Sequence, residues 1–191
     1  MYQTIKLFVT ALFLLFSMTM NAQLGIRAGA NLARVTTDDD AVNLTSIGGY
    51  HAGIVYEIDL GDNILIRPGA LFTTKGGISE FNEENITTRT NYIEIPVDLH
   101  VKFGQPGGTR FGIYAGPYIG VLLSAQYDGE EAKDSFKNGD LGANVGLTLD
   151  LSILTFGMNY GAGLVNVAEE DLRNSAEVKN QTLSAFAMLR F

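Results

Sequence analysis

From residue 24 to residue 191 side-chain character changes at almost every second position, and the two faces this makes are opposites. Eight segments alternate in this way: 24–32, 50–60, 64–75, 91–103, 110–124, 140–151, 154–165 and 182–191. In 91–103, Ile93, Ile95, Val97, Leu99, Val101 and Phe103 share one face, while Tyr92, Glu94, Pro96, Asp98, His100 and Lys102 share the other. A two-residue period marks β-strands with two different surroundings. Pooled over all eight segments, the apolar face holds no charged residue and no Gly. The opposite face holds twelve Gly and twelve charges: Arg27, Arg67, Lys75, Lys102, Arg110 and Arg190 against Glu57, Asp59, Glu94, Asp98, Asp140 and Asp150.

A soluble sandwich or lipocalin also alternates, but turns its apolar face inward. Here the inverse is expected. A surface in water has no need of a dozen Gly, whereas the interior of an eight-strand barrel has room for few large side chains. Bulky residues on every strand would overfill that interior, and facing lipid they need no internal volume. The connections fit this reading, since 33–49, 76–90, 125–139 and 166–181 are long and polar while 61–63, 104–109 and 152–153 are short. Strict alternation of long and short is the habit of outer-membrane barrels, whose periplasmic turns are short. Closure removes unpaired strand edges, which hydrocarbon cannot solvate. The expected fold is all-β, an eight-stranded antiparallel up-and-down transmembrane β-barrel in the cell outer membrane. Outward aromatics near segment ends, Tyr50, Phe72, Phe103, Phe111, Phe156, Tyr160 and Phe191, suit interfacial girdles.

Residues 1–22 read differently. Lys6 precedes an apolar run from Leu7 to Phe16, then Ser17 to Asn21 and the small residue Ala22. That order is a secretory signal peptide, too short to span a bilayer, and the expected organisation is signal peptide 1–22 and barrel domain 23–191. The formal net charge of −8 makes nucleic acid an unsuitable partner. The absence of Cys excludes disulfides, thiolate metal sites and Cys nucleophiles.

Several phrases carry a family likeness: Gly25-Ile26-Arg27-Ala28-Gly29-Ala30-Asn31, Tyr92-Ile93-Glu94-Ile95-Pro96-Val97, Ala115-Gly116-Pro117-Tyr118, Asn159-Tyr160-Gly161-Ala162-Gly163-Leu164 and the ending Leu189-Arg190-Phe191. The chain resembles the PorT-like small outer-membrane β-barrel proteins, an OmpA/OmpX-like eight-stranded barrel of the Gram-negative cell envelope, over essentially all of 23–191. The resemblance implies the fold and location and no single biochemical role. It also implies that Phe191 acts as a C-terminal signal to the barrel-assembly machinery.

Inward charges must be paired, so Arg27, Glu57, Arg67, Glu94, Asp98, Lys102 and Asp150 are expected to form a lumen charge network. Strand direction puts all of these except Glu94 toward the periplasmic half as an electrostatic plug. His51 near the outer end of the second strand, with Ser46 and Ser124 at similar height, is the one arrangement open to lipid-modifying chemistry; no acidic orienter singles it out. Asp38-Asp39-Asp40, Glu83-Glu84, Glu130-Glu131 and Glu169-Glu170-Asp171 place acid in the long loops. Capture of divalent cations bridging to lipopolysaccharide is weighed there against a merely solvated surface, and none of these runs has EF-hand spacing. The Gly-rich strings 104–108 and 157–163 match no phosphate loop. Expected partners are outer-membrane lipid and lipopolysaccharide, the assembly machinery and an envelope protein. No catalytic residue, cofactor or metal site is expected. The role expected is a non-enzymatic structural, adhesion or secretion-assembly protein; the alternatives are a narrow small-solute channel, an outer-membrane lipid-modifying enzyme and a soluble periplasmic lipocalin-like binder.

Overall fold

The computed structural model describes residues 22–36, 43–81, 84–105, 107–168 and 178–191. Of the expected leader only Ala22 falls within them, and its backbone opens the first strand. Eight long strands are present among the described residues: β1 Ala22–Thr36, β2 Ile47–Asp59, β3 Ile64–Phe81, β4 Glu84–Phe103, β5 Thr109–Tyr127, β6 Gly139–Leu151, β7 Leu154–Gly163 and β8 Lys179–Arg190. Two short ribbons, Asn43–Thr45 and Glu130–Glu131, belong to the outer connections. Each long strand pairs antiparallel with its neighbours in sequence, and β1 pairs with β8 from Gly25↔Arg190 to Thr36↔Lys179. The sheet is a closed eight-stranded barrel without a free lateral edge, the condition for crossing hydrocarbon with strands.

Followed from each residue to the one opposite, Ala22 leads through Ile58, Ile66, Leu99, Ala115, Val145, Tyr160 and Leu183 back to Leu32, ten positions along β1. That stagger over eight strands sets a tilt of about 40°. It also leaves an interior that side chains fill. The apolar face is the outer one: Ile26, Ile54, Ile119, Val145, Leu147 and Phe111 are all about half exposed or more, with Leu147 at 60%. The charged face is inside, with Arg67, Asp98, Asp140 and Asp150 each at 1%. This arrangement inverts that of a soluble sandwich or lipocalin, whose apolar side chains fill the centre.

The interior accepts its larger side chains because Gly lies opposite them. A Cβ on Gly157 would meet the Phe186 ring, and one on Gly146 or Gly142 would meet the rings of Tyr114 or Tyr118. Gly157→Ala is therefore expected to cost about 1–3 kcal/mol by overpacking. Adding Phe186→Leu should return a good part of that loss, read as a coupling energy in denaturant titrations of the four-member cycle.

Two sequence expectations need correction. Residues 76–90 are not a long loop: Gly76–Phe81 and Glu84–Arg89 continue β3 and β4 as a paired hairpin that outlasts the rest of the wall. The β-branched residues Ile78, Ile86, Thr87, Thr88 and Thr90 favour extended backbone there. The second correction is at Ser124. A register shift at Asn91/Tyr92 gives β5 one extra residue, so Ala125 turns inward at 0% exposure while Ser124 bonds Asn91 beside it.

A second, smaller core caps the outer mouth. Tyr92, Leu122 and Ala125 of the wall pack against Phe136 and Val167 of the connections, with Tyr127, Val165 and Val178 beside them. The backbone bond Lys137 N to Val167 O ties the two outer connections together across it, and Val167 N to Val178 O closes the second connection on itself, both at 2.9 Å.

Candidate functional site

The inward charges sort into clusters at different heights. On the periplasmic side Glu57 of β2 accepts from Arg67 of β3, with Nε at 2.9 Å and a second contact from the same guanidinium. Lys102 of β4 lies 2.8 Å from Asp150 Oδ2 and 3.5 Å from Glu57 Oε2, and Arg190 of β8 is 3.6 Å from each acid. Thr155 Oγ1 donates to the other oxygen of Asp150 at 2.6 Å. Asp98, opposite Arg67 in the β3–β4 register, faces both Arg67 and Arg27. These groups lie at the inner ends of their strands because the short turns bring β2 and β3, and β4 and β5, back on themselves there. Glu57 and Arg67 stand either side of the 60–63 turn, and Lys102 precedes the 104–108 turn, which Gly104 enters at φ +121.

Midway up, the buried Arg27 of β1 forms no ion pair among the described residues. Its Nε donates to His51 Nε2 at 3.2 Å, and its guanidinium lies 3.7 Å from the Phe186 ring centroid. His51 therefore carries its proton on Nδ1 and donates it to Asn31 Oδ1 at 2.7 Å. Asn31 passes the chain on to Thr73 Oγ1 and Thr74 O, both at 3.1 Å. Tyr114 donates to Asn159 at 3.0 Å, and its ring stacks on His100 at 4.4 Å.

The outer cluster centres on Lys75 of β3. Its ammonium is 2.7 Å from Glu94 and 3.1 Å from Asp140, and sits 4.0 Å from the Tyr118 ring centroid. Asp140 Oδ2 also accepts from Tyr118 OH at 3.3 Å and Asn180 Nδ2 at 3.1 Å. Lys75 on β3 and Asp140 on β6 stand across the barrel from one another, so this cluster bridges the lumen.

Of the seven charges singled out in the sequence, Glu57, Arg67, Lys102 and Asp150 come together in one cluster, with Asp98 beside Arg67. Arg27 stands above them, bonded to His51. Glu94 is separate, in the outer cluster with Lys75 and Asp140. Those two and Arg190 were on the inward face by alternation, but the sequence did not mark them as partners. Arg110 turns away from the ion cluster to the periplasmic rim, donating to Asp62 O and, at 2.9 Å, to Asn63 Oδ1 in the 60–63 turn. The serines considered beside His51 are elsewhere: Ser46 is exposed between ribbon and strand, and Ser124 is bonded to Asn91. The acidic runs at 38–40, 83 and 169–171 lie outside the described residues, while Glu130 and Glu131 form an exposed ribbon. Phe191 is 66% exposed and its N–H donates to Leu24 O at 2.8 Å, tying the end of the chain to β1.

The space left among Arg27, His51, Leu71, Thr73, Lys75 and Glu94 is about 20 Å³, enough for a water molecule or so. Nearer the periplasm an open vestibule of about 390 Å³ reaches Glu57, Lys102, Asp150 and Arg190 from outside and stops at them. Chemically, this interior is a polar plug built of ion pairs and amide chains.

The profile of the family described as Outer membrane protein beta-barrel domain matches residues 16–169. No curated protein matches the chain. Among solved structures it is similar to Ail, the attachment invasion locus protein of Yersinia pestis in complex with the heparin analogue sucrose octasulfate, at 16% identity over 90% of this chain and 100% of that chain, with a TM-score of 0.51. It is similar to Neisserial surface protein A at 13% identity over 88% and 97%, with a TM-score of 0.52. It is also similar to the outer membrane protein OprG from Pseudomonas aeruginosa at 11% identity over 90% and 97%, with a TM-score of 0.54. At such identities the likeness is one of fold.

Proposed function

The chain belongs to the outer membrane protein beta-barrel domain family and resides in the cell outer membrane, and on that premise we propose that it is a non-enzymatic surface scaffold whose barrel is plugged and whose outer hairpin and connections do the work. The observation that carries this reading is the filled lumen: ion pairs bridge it at two heights, and the space among Arg27, His51 and Thr73 between them is about 20 Å³. A barrel of this kind holds loops in place instead of passing solute. Both nitrogens of His51 are engaged by Arg27 and Asn31, which leaves it without the free nitrogen a general base needs.

The working surface is the β3–β4 hairpin together with the connections tied over the Phe136 and Val167 core. Among its described residues Asp128, Glu130, Glu131 and Asp134 outnumber Lys133 and Lys137, which favours a partner with a basic face. Ail is named for attachment, and its solved complex holds a polysulfated sugar. The acidic surface here supports adhesion or assembly through a protein partner instead of a polyanion. Within the family we read the chain as PorT-like, on the phrases quoted from its strands, which makes docking of an envelope assembly the finer form of the same proposal. An exported leader over 1–22, a Gram-negative envelope, delivery by the barrel-assembly machinery and contact with lipopolysaccharide belong to this reading.

Planar-bilayer recording of the refolded barrel tests it. The expected trace shows no stable conductance step at moderate voltage. Reproducible, long-lived steps would overturn the plugged-scaffold reading in favour of a narrow channel.

A further inference from the structure

On the lipid-facing wall one arginine lies across a stretch that carries no side chains of its own. Arg89 of β4 points outward above the apolar belt, opposite Gly76 of β3. Its half-buried side chain nevertheless borders the same groove as Ala30 and Leu32 of β1, Gly48 and Tyr50 of β2, and Leu183 and Ala185 of β8. It reaches them because Gly48 leaves the wall flat between. A Cβ on Gly48 would meet nothing within 4 Å. The groove has a volume of about 590 Å³, within the usual range of small-ligand sites. Apart from Arg89, the side chains on its outer surface are apolar or aromatic.

This groove sits at the outer edge of the belt. Leu32 and Leu183, both about half exposed, are the last outward apolar residues of β1 and β8 on that side. The next outward pair along the same two strands is Arg34 and Gln181, joined by a 2.8 Å hydrogen bond. Tyr50 stacks on Phe72 at 5.7 Å, an outer girdle pair. Arg89 therefore stands at headgroup height with hydrocarbon-facing residues below it. Among the described residues it has no hydrogen bond or ion pair, so the five donors of its planar fork are unclaimed. A guanidinium of that kind matches a phosphate in two-point geometry.

We propose that this groove seats one phosphate-bearing lipid of the outer leaflet, its phosphate on Arg89 and an acyl chain laid down over Gly48 and Ala30 beside Tyr50 and Leu183. Charge and depth both select that occupant. The cation is at the interface, where lipid phosphates are, and the apolar lining continues below it, where a chain must go. A free phosphate would use the first feature and leave the second without purpose. The inference rests on the outer-membrane location and is independent of the plugged-scaffold reading, since a conducting barrel would keep the same outer wall.

The test uses the full barrel refolded into vesicles of a phosphate-free galactolipid containing bis-phosphorylated lipid A. The barrel is then transferred to mild detergent, and retained lipid is counted by native mass spectrometry. The wild-type barrel is expected to retain one lipid A. Arg89→Gln should reduce the retained fraction at least tenfold, and Gly48→Leu, which fills the groove, should do the same. Arg89→Lys should fall between. All variants should keep the heat-modifiable gel mobility of a folded barrel. Lipid A stripped of its phosphates should not be retained. Equal retention by Arg89→Gln, or equal retention of the dephosphorylated lipid, overturns the proposal. So does displacement of lipid A by millimolar inorganic phosphate that itself binds the wild type and not Arg89→Gln, because the site would then take a free anion.

Discussion

Glu57→Gln is expected to lower the unfolding free energy of the barrel by about 3–5 kcal/mol, the usual loss when one member of a buried ion cluster is removed and the others stay. Glu57 is 3% exposed and meets Arg67, Lys102 and Arg190 at once. Gln keeps its shape and removes its charge, leaving Lys102 and Arg190 on Asp150 alone and Arg67 with only Asp98 beside it. The chain has no Trp, so unfolding in denaturant is best followed by far-ultraviolet circular dichroism and gel mobility. Asp59→Asn, two residues along the same strand but exposed, is the control and should stay within about 0.5 kcal/mol of wild type. Adding Lys102→Met to Glu57→Gln should recover part of the loss, because it withdraws one of the uncompensated cations. If Glu57→Gln unfolds with the wild-type midpoint, the periplasmic cluster is flooded with water and does not behave as a dry plug.

Val145→Arg should cost about 2–4 kcal/mol in a vesicle-refolded barrel, the range for a cation on the lipid face near the bilayer midplane. Val145 is 54% exposed and lies in the middle of β6. By ordinary rules for soluble proteins, such a site would accept Arg within about 0.5 kcal/mol. The size of the penalty therefore measures what touches the outer face. A companion change at the rim, Leu32→Arg, should cost less, since its head reaches the interface. Equal small effects at both sites would mean that water, and not hydrocarbon, bathes the wall.

The membrane strands could be read in the sequence because alternation is a local property. Val97, Leu99 and Val101 against Asp98, His100 and Lys102 need no knowledge of any other strand, and the same holds for the turns at 60–63 and 152–153. The outer end could not be read as well. Gly76-Gly77 and the acids that follow look like a loop, yet pairing across the hairpin keeps 76–81 and 84–89 extended. Phe136 is a single apolar residue in polar surroundings and Val167 trails an apolar stretch from Leu164, and nothing in the sequence says that they meet over Tyr92. The ion partners were hidden for another reason. Alternation tells which charges turn inward, but the stagger of ten decides which of them share a height. Glu57 finds Lys102 at a separation of 45 residues and Lys75 finds Asp140 at 65. Glu94 looks like a neighbour of Asp98 on the same face of β4, yet works with Lys75 higher up. Arg89 had no signal at all, because its setting depends on Gly48, Leu32 and Leu183 from three other strands.

The seam between β1 and β8 has a temporal meaning. It joins residues far apart along the polypeptide, such as Arg34 and Gln181, separated by 147 positions, so one edge of β1 must wait for β8 although the other is paired with β2. Contacts that distant in sequence make formation slow. Until the seam zips, Leu24, Ile26 and their neighbours travel as sticky, half-made sheet. An open seam is costly in hydrocarbon, so the wall is expected to close as it enters the bilayer.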